Sequence, residues 1–326
     1  MTDWNEILIK KEKELKEDPT SCKANFRLGF TYYKLERYKK AIPYLKRAIK
    51  LNPNFVSAYK FLGFAYANLE RFEDAITTYK QAIKLDLNDA DLYASLGISC
   101  GDLKYYKKAI PAFKKAIKLA PNPDYYYYLG VTYNDLKRYK EAISILKKVI
   151  KMDPQFFNAY CSLSSIYRRL KQYNESISIC KSLIQIDFDY GVKKADYAIP
   201  YYYLGMDYYN LKCYEEAIKS YKQAIKLDPN DKYTYKRLGE TYNELKLYKR
   251  AIISFKKAIK LDPNYSRAYY NLGMSYILNN NEKSALKIYE SFKKVDQDLA
   301  QKLYDFIYKN KNERTPVTHN GFTTQI

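Results

Sequence analysis

A two-residue pattern, Leu followed by Gly, recurs along the chain at a nearly constant interval and constrains the fold more than any other feature. Successive occurrences are separated by 34, 34, 33, 34, 41, 34 and 34 residues, with Leu163-Ser164 standing in for one pair. A fixed period of this length is typical of proteins built from stacked supersecondary units. The pairs are Leu28-Gly29, Leu62-Gly63, Leu96-Gly97, Leu129-Gly130, Leu204-Gly205, Leu238-Gly239 and Leu272-Gly273.

A second motif has the same period. The heptapeptide Ala-Ile-Lys-Leu-Asp-Pro-Asn occupies residues 224–230 and 258–264, and a close variant occupies 48–54. Together the two motifs resemble the tetratricopeptide repeat family, whose unit is a helix–turn–helix. The resemblance covers residues 22–299 and implies an all-α, right-handed superhelical solenoid of eight repeats. The repeats begin at Cys22, Val56, Ala90, Pro123, Phe157, Ala198, Lys232 and Ser266.

Hydrophobic periodicity supports the same structure independently. In the second repeat, Tyr59, Leu62 and Tyr66 recur at helical spacing and predict an amphipathic first helix. One hairpin cannot bury such a face alone, so stacking of neighbouring repeats completes the core. Pro43 and Pro111 fall inside predicted second helices, where we expect a kink or a shortened first turn.

The ends and one internal position depart from the repeat. We expect a lone helix before the first repeat and another after the last, because both segments keep helical periodicity. The fifth repeat is the weakest, and an insertion follows it, which we interpret as a joint between two blocks of repeats. The predicted organisation is a capping helix within 1–21, five repeats over 22–190, an insertion at 191–197, three repeats over 198–299, a capping helix over 300–311 and a disordered tail over 312–326.

The chain is strongly basic, with 57 Lys and Arg against 36 Asp and Glu and a formal net charge of +21. Lysine occupies repeat position 25 in seven repeats and position 29 in seven, which predicts a basic ridge on the outer surface. A nucleic acid or another anionic surface is one partner that such a ridge could bind. Simple solvation of a lysine-rich face, or an A/T-rich coding sequence, explains the same excess.

Catalytic chemistry has little support in the residues. His319 is the single histidine and lies in the predicted tail, and no phosphate-binding glycine motif is present. The five cysteines form no CxxC pair, so we expect reduced thiols, no metal site and no cofactor. The N-terminal residues resemble no signal peptide, and no segment is apolar enough to span a membrane. We therefore expect a cytoplasmic protein that is not an enzyme.

The family resemblance implies that a partner protein or peptide binds the inner side of the first helices, at repeat positions 2, 5, 9, 12 and 13. Large apolar residues at positions that the core does not need favour an interaction surface. Some of them could instead pack on a neighbouring repeat. The acidic positions would select basic residues of the partner, and no small-molecule substrate is expected. The predicted partner-binding residues are Phe26, Phe30, Tyr33, Phe64, Asp91, Asp102, Tyr127, Asp135, Arg168, Arg169, Tyr202, Met206, Tyr209 and Tyr270.

Overall fold

The computed structural model describes residues 4–186 and 195–314, and within these residues it contains eighteen α-helices and no strand. The predicted all-α class is confirmed. The helices are α1 Trp4–Glu17, α2 Cys22–Lys34, α3 Tyr38–Leu51, α4 Val56–Asn68, α5 Phe72–Leu85, α6 Ala90–Asp102, α7 Tyr106–Leu119, α8 Pro123–Asp135, α9 Tyr139–Met152, α10 Phe157–Arg169, α11 Tyr173–Ile184, α12 Ala198–Asn210, α13 Tyr214–Leu227, α14 Lys232–Glu244, α15 Tyr248–Leu261, α16 Ser266–Leu278, α17 Glu282–Phe292 and α18 Gln297–Arg314.

The eight predicted repeats are the helical hairpins of the structure. The first helices, α2, α4, α6, α8, α10, α12, α14 and α16, begin at the eight repeat starts that the sequence predicts, and each has 13 residues. In seven of the eight hairpins the second helix packs against the first, as α5 packs on α4. In the fifth hairpin, the side-chain oxygens of Ser164 on α10 and Ser176 on α11 lie 2.8 Å apart. The repeat period is therefore the period of the fold.

Every hairpin turn contains one residue with left-handed backbone geometry at repeat position 15. In the second repeat this residue is Glu70, with φ 59°. The amide of Arg71 donates to the carbonyl of Tyr66 at 2.9 Å and closes the turn. A left-handed residue commonly ends a helix, although it is usually glycine. The others are Glu36, Lys104, Lys137, Lys171, Lys212, Lys246 and Asn280, with φ between 57° and 60°.

The repeated glycine allows close packing within six of the eight hairpins. A Cβ atom at Gly97 would lie 2.7 Å from Cε1 of Phe113, a ring on α7 that is 1 % exposed. A Cβ atom at Gly239 would lie at the same distance from the ring of Phe255 on α15. In these hairpins the glycine of the first helix makes room for a large core side chain of the second, whereas Gly273 of the last repeat faces Leu303 of α18 and the fifth repeat has Ser164 at this position.

Both prolines lie inside continuous helices. Pro43 is within α3 and Pro111 within α7, and each helix has 14 residues, as α5 does without an internal proline. The expected shortening is therefore not seen. Both side chains are exposed, so their rings displace no core residue.

The chain divides into two compact units, Met1–Ser162 (unit 1) and Leu163–Ile326 (unit 2). In unit 1, α1 packs on α2, and in unit 2, α18 packs on α16 and α17. The predicted grouping into five and three repeats stays a prediction. Most of the predicted insertion and nearly all of the predicted tail, including His319, lie outside the described residues.

Candidate functional site

An aromatic cluster lies on the first helices of unit 1 and contains four of the predicted residues. Its centre is Phe61 of α4, whose ring centroid lies 4.7 Å from Phe30, 5.3 Å from Tyr33, 5.6 Å from Phe64 and 6.0 Å from Phe26. All five side chains are half-buried. They pack on the neighbouring repeat and still present part of each ring to solvent. We call these five residues the aromatic cluster.

Phe61 was missed by the sequence prediction because repeat position 6 is not among the positions expected to face a partner. Two further rings extend the cluster: Phe55 lies 4.8 Å from Phe26, and Trp4 of α1 lies 6.1 Å from Phe30. The signal that could have found Phe61 is its spacing, because it precedes Phe64 by three residues and so lies on nearly the same helix face.

Aromatic residues also stand at some helix starts where a capping side chain is usual. Asp89 caps α6 by accepting a hydrogen bond from the amide of Leu92 at 3.1 Å, as an N-terminal cap should. Phe55 makes no such bond at the start of α4, and its ring packs on Phe26 instead. Tyr265 likewise precedes α16 without capping it. At these positions no side chain caps the helix, and the ring of Phe55 or Tyr265 packs on a ring of a first helix instead.

Of the predicted aspartates, Asp91 is held by contacts within unit 1. Its Oδ1 accepts a 2.5 Å hydrogen bond from the Tyr125 hydroxyl, and its Oδ2 lies 3.0 Å from Nζ of Lys60. The bond from Tyr125 and the charge of Lys60 lower the pKa of Asp91. Lys60 also bonds Asp89 at 2.9 Å. Asp91 therefore links three repeats, although 62% of its side chain remains exposed.

The other predicted aspartates are freer. Asp102 at the end of α6 and Asp135 at the end of α8 are exposed. Desolvation raises the pKa of Asp102. Asp135 accepts a hydrogen bond of 3.4 Å from Nδ2 of Asn134. Tyr127, on α8, is half-buried with its ring 5.1 Å from Phe156. The exposed carboxylates of Asp102 and Asp135 can therefore pair with a basic side chain of a partner.

In unit 2, the side chain of Arg168 on α10 contacts two residues of α12. Its guanidinium lies 3.7 Å above the ring of Tyr203, and Nη1 is 3.2 Å from the sulfur of Met206. Two predicted residues, Arg168 and Met206, are thus in direct contact. Arg169 is exposed at the end of the same helix.

The three remaining predicted residues are half-buried tyrosines in unit 2 that contact the core or a charged neighbour. Tyr202 lies 6.2 Å from the buried ring of Tyr221. The hydroxyl of Tyr209 donates to Glu244 at 3.2 Å, and desolvation followed by the charge of Glu244 raises its pKa to about 12. Tyr270 packs against the core cluster that includes residues of α18. Tyr202 and Tyr209 pack against one core cluster of unit 2, whereas Tyr270 packs against another.

A polar cleft of about 430 Å³ in unit 2 contains residues outside the predicted set, apart from Tyr202. Tyr233 and Tyr265 form one wall, with ring centroids 5.7 Å apart. Lys236 at its base is only 8 % exposed and bonds Glu240 at 2.8 Å, and desolvation lowers its pKa. The sequence signal for this cleft is a pair of tyrosines at positions 2 and 34 of the same repeat.

Lysines of the second helices lie over tyrosine rings of the first helices. Nζ of Lys46 is 5.8 Å from the ring centroid of Tyr66. Nζ of Lys148 is 4.2 Å from the ring of Tyr126 and donates to its hydroxyl at 2.8 Å. Such cation–π contacts place part of the lysine excess in intramolecular interactions.

Within residues 4–186 and 195–314, no group of three or more His, Cys, Asp or Glu side chains is arranged to hold a metal ion. None of the helices in these ranges combines the length and apolar character required to cross a bilayer. The five cysteines, at 22, 100, 161, 180 and 213, form no disulfide with one another.

Stacked hairpins with half-exposed aromatic residues on the first helices define a helical-repeat protein of the interaction-scaffold class. The chain belongs to the tetratricopeptide repeat family. Family models described as tetratricopeptide repeat or TPR repeat match residues 22–55, 65–101, 90–123, 123–156, 157–190, 198–231, 233–265 and 254–287.

Two solved structures with TM-scores above 0.5 have the same fold. The C-terminal part of a TPR repeat-containing protein from Cytophaga hutchinsonii is 21% identical with a TM-score of 0.60, covering 72% of this chain and 95% of that one. A chain of the APC/C hetero-tetramer Cut9-Hcn1 is 17% identical with a TM-score of 0.55, covering 83% of this chain and 52% of its own. MamA is 27% identical with a TM-score of 0.48, covering 50% of this chain and 90% of MamA. Comparison with curated proteins finds no match.

Proposed function

We propose that the first helices of unit 1 bind an extended or helical segment of a partner protein. The aromatic cluster would supply the apolar anchors, and Asp102 and Asp135 would select basic residues of the partner. The unit 2 residues Arg169, Tyr202 and Tyr209 would add contacts to the same or a second partner. The predicted cytoplasmic location is part of this proposal, because none of the five cysteines forms a disulfide with another, as is usual in that compartment.

The observation that carries this proposal is the half-burial of five aromatic rings in one contiguous group. A core residue in this chain is close to fully buried, as Tyr79 is at 1 % exposure. The aromatic cluster packs on that core and retains exposed ring surface. Aromatic residues of this kind are enriched among those that dominate binding energy at protein interfaces.

The test compares proteins captured by the full chain with those captured by the double variant Phe30→Ala, Phe64→Ala. The matched control is Tyr44→Ala with Phe72→Ala, which removes two half-buried rings from second helices of the same two repeats. A partner of the aromatic cluster is retained by the control and lost by the first variant. Its affinity should fall by about 2 kcal/mol or more.

Folding is monitored for each variant by helical circular dichroism and urea denaturation. If both double variants are folded and capture the same proteins with unchanged affinity, the aromatic cluster is not the binding site.

A further inference from the structure

An apolar cleft lies between α13, α14 and α15 in unit 2. Its volume is about 540 Å³, within the range of roughly 300–1,000 Å³ that is common for ligand pockets. Tyr235, Leu238 and Tyr242 of α14 form the base, with Ile225 of α13 and Ile253 of α15 on either side. We call this the second-helix cleft.

Ile253 departs from the repeat pattern. It occupies repeat position 22, where the other seven repeats have Pro, Thr, Pro, Ser, Ser, Lys and Lys. Its side chain is 67% exposed, so the core does not use it. A single exposed isoleucine needs no explanation. This one, however, borders a cleft whose base is apolar, and the two together form a continuous apolar surface.

The rim of the cleft is basic. Lys222, Arg250 and Lys257 surround the apolar residues. Nζ of Lys257 lies 5.8 Å from the ring of Tyr235, and the guanidinium of Arg250 lies 6.0 Å from the ring of Tyr242. Within the described residues none of the three cations has a carboxylate partner within salt-bridge distance.

The charge of Asp228 contributes, after desolvation, to the raised pKa of Tyr235. Among the described residues, the lining of the cleft itself contains three cations and no carboxylate, so its rim is positive. Charge complementarity therefore favours an acidic occupant.

The cleft is separate from the first-helix face of the same repeat. On α14, Tyr235, Leu238 and Tyr242 share one side of the helix, whereas Lys236 and Glu240 lie on the opposite side. A ligand on one side therefore leaves the other side accessible.

We propose that the second-helix cleft docks an acidic segment of a partner protein, with one large aliphatic or aromatic side chain inserted beside Ile253. The carboxylates of that segment face Lys222, Arg250 and Lys257. This surface is distinct from the aromatic cluster of unit 1, so the two proposals stand or fall independently.

The experiment selects peptides from a random-peptide display library on the full chain, with counter-selection on the variant Ile253→Lys. The expected consensus is a large apolar residue flanked by Asp or Glu. A synthetic peptide of that consensus should bind Ile253→Lys at least about tenfold more weakly than the unmodified chain. Because Ile253 is exposed, this change should leave folding intact, which thermal unfolding verifies.

The matched control is Ser144→Lys. Ser144 is exposed and occupies the same position of the fourth repeat, so it adds an equal charge on an equivalent surface. The control should bind the peptide like the unmodified chain. The double variant Lys222→Gln, Lys257→Gln should weaken binding and reduce its dependence on salt.

Four outcomes would overturn the proposal. The first is a library that yields no peptide distinguishing the unmodified chain from Ile253→Lys. The second is a consensus without acidic residues, and the third is an equal loss of peptide binding in Ser144→Lys. The fourth is self-association of the chain that Ile253→Lys abolishes in sedimentation experiments, which would assign the cleft to a second copy.

Discussion

Ser176 donates a 2.6 Å hydrogen bond to Oδ2 of Asp207, and both side chains have no exposure to solvent. Ser164 lies 2.8 Å from the Ser176 oxygen and 3.2 Å from the sulfur of Cys180, so a chain of hydroxyl and thiol groups ends on the carboxylate. Oδ1 of Asp207 has no partner among the described residues. Ser164, Ser176 and Cys180 replace the glycine, the alanine and the larger core residue of the other seven repeats, and these substitutions create a polar site inside unit 2.

The first prediction concerns the charge of Asp207. Desolvation raises its pKa from 3.8 to about 6, although Ser176 and Arg168 oppose the shift. The folded state therefore binds a proton between these values where the unfolded state does not. The free energy of unfolding should therefore fall as pH rises from 3.8 to about 6. Above about pH 6 the full destabilisation by the buried charge should be present.

The variant Asp207→Asn removes this charge and keeps the side-chain shape. At pH 7 it should be more stable than the unmodified chain, by an amount of up to roughly 3 kcal/mol. The difference should vanish in acid, where both side chains are neutral. Urea denaturation across the pH range measures it, and Asp305→Asn, an exposed change in the same unit, is the control. A stability difference that does not change with pH would contradict the burial of the charge.

The second prediction concerns the packing glycines. Gly97→Ala places a methyl group against the buried ring of Phe113 and should destabilise the chain by about 1–3 kcal/mol. Gly101→Ala, on the same helix, meets no atom within 4 Å and should be neutral or stabilising. Comparison of the urea midpoints separates steric packing from helix propensity, because propensity favours alanine at both positions. Equal midpoints would show that the glycine is not required for packing.

The third prediction separates two aspartates of unit 1. Asp135→Asn should weaken the binding of a basic partner and reduce the salt dependence of its association rate, because the carboxylate of Asp135 is exposed. Asp91→Asn should mainly lower stability, because it disrupts the contacts with Tyr125 and Lys60. Stopped-flow binding and thermal unfolding of both variants provide the comparison. The reverse distribution of effects would assign partner selection to Asp91.

The fourth prediction concerns nucleic acid as an alternative partner of the basic ridge. Ridge lysines such as Lys46 and Lys256 lie over tyrosine rings, so we expect binding of duplex DNA or RNA to be weak at physiological salt. A protein with 6–10 phosphate contacts loses about 10³–10⁵ in affinity between about 50 and 200 mM salt. Fluorescence anisotropy across that range measures the slope. Tight, sequence-dependent binding at the higher salt would favour nucleic acid as the partner.

Four of the five residues of the aromatic cluster could be predicted from their repeat positions, whereas the fifth depends on contacts between rings of different repeats. Phe61 was identified only when the structure placed it among Phe26, Phe30 and Phe64. Asp91 satisfied the positional rule for a partner-facing residue, yet Lys60 and Tyr125 of the adjacent repeats occupy it. A position within one repeat does not reveal which neighbours bond to its side chain.

The sequence by itself determined the eight hairpins and their boundaries, because glycine, the large core residue and the helical periodicity recur with the period of the fold. Only the tertiary structure decided which side chains meet across the stack, including the buried Ser176–Asp207 pair and the cleft beside Ile253. The left-handed residues at repeat position 15 also required the backbone, since lysine and glutamate carry no local signal for that geometry. Periodicity specifies how each repeat folds, whereas the contacts between neighbouring repeats depend on distances that no single repeat encodes.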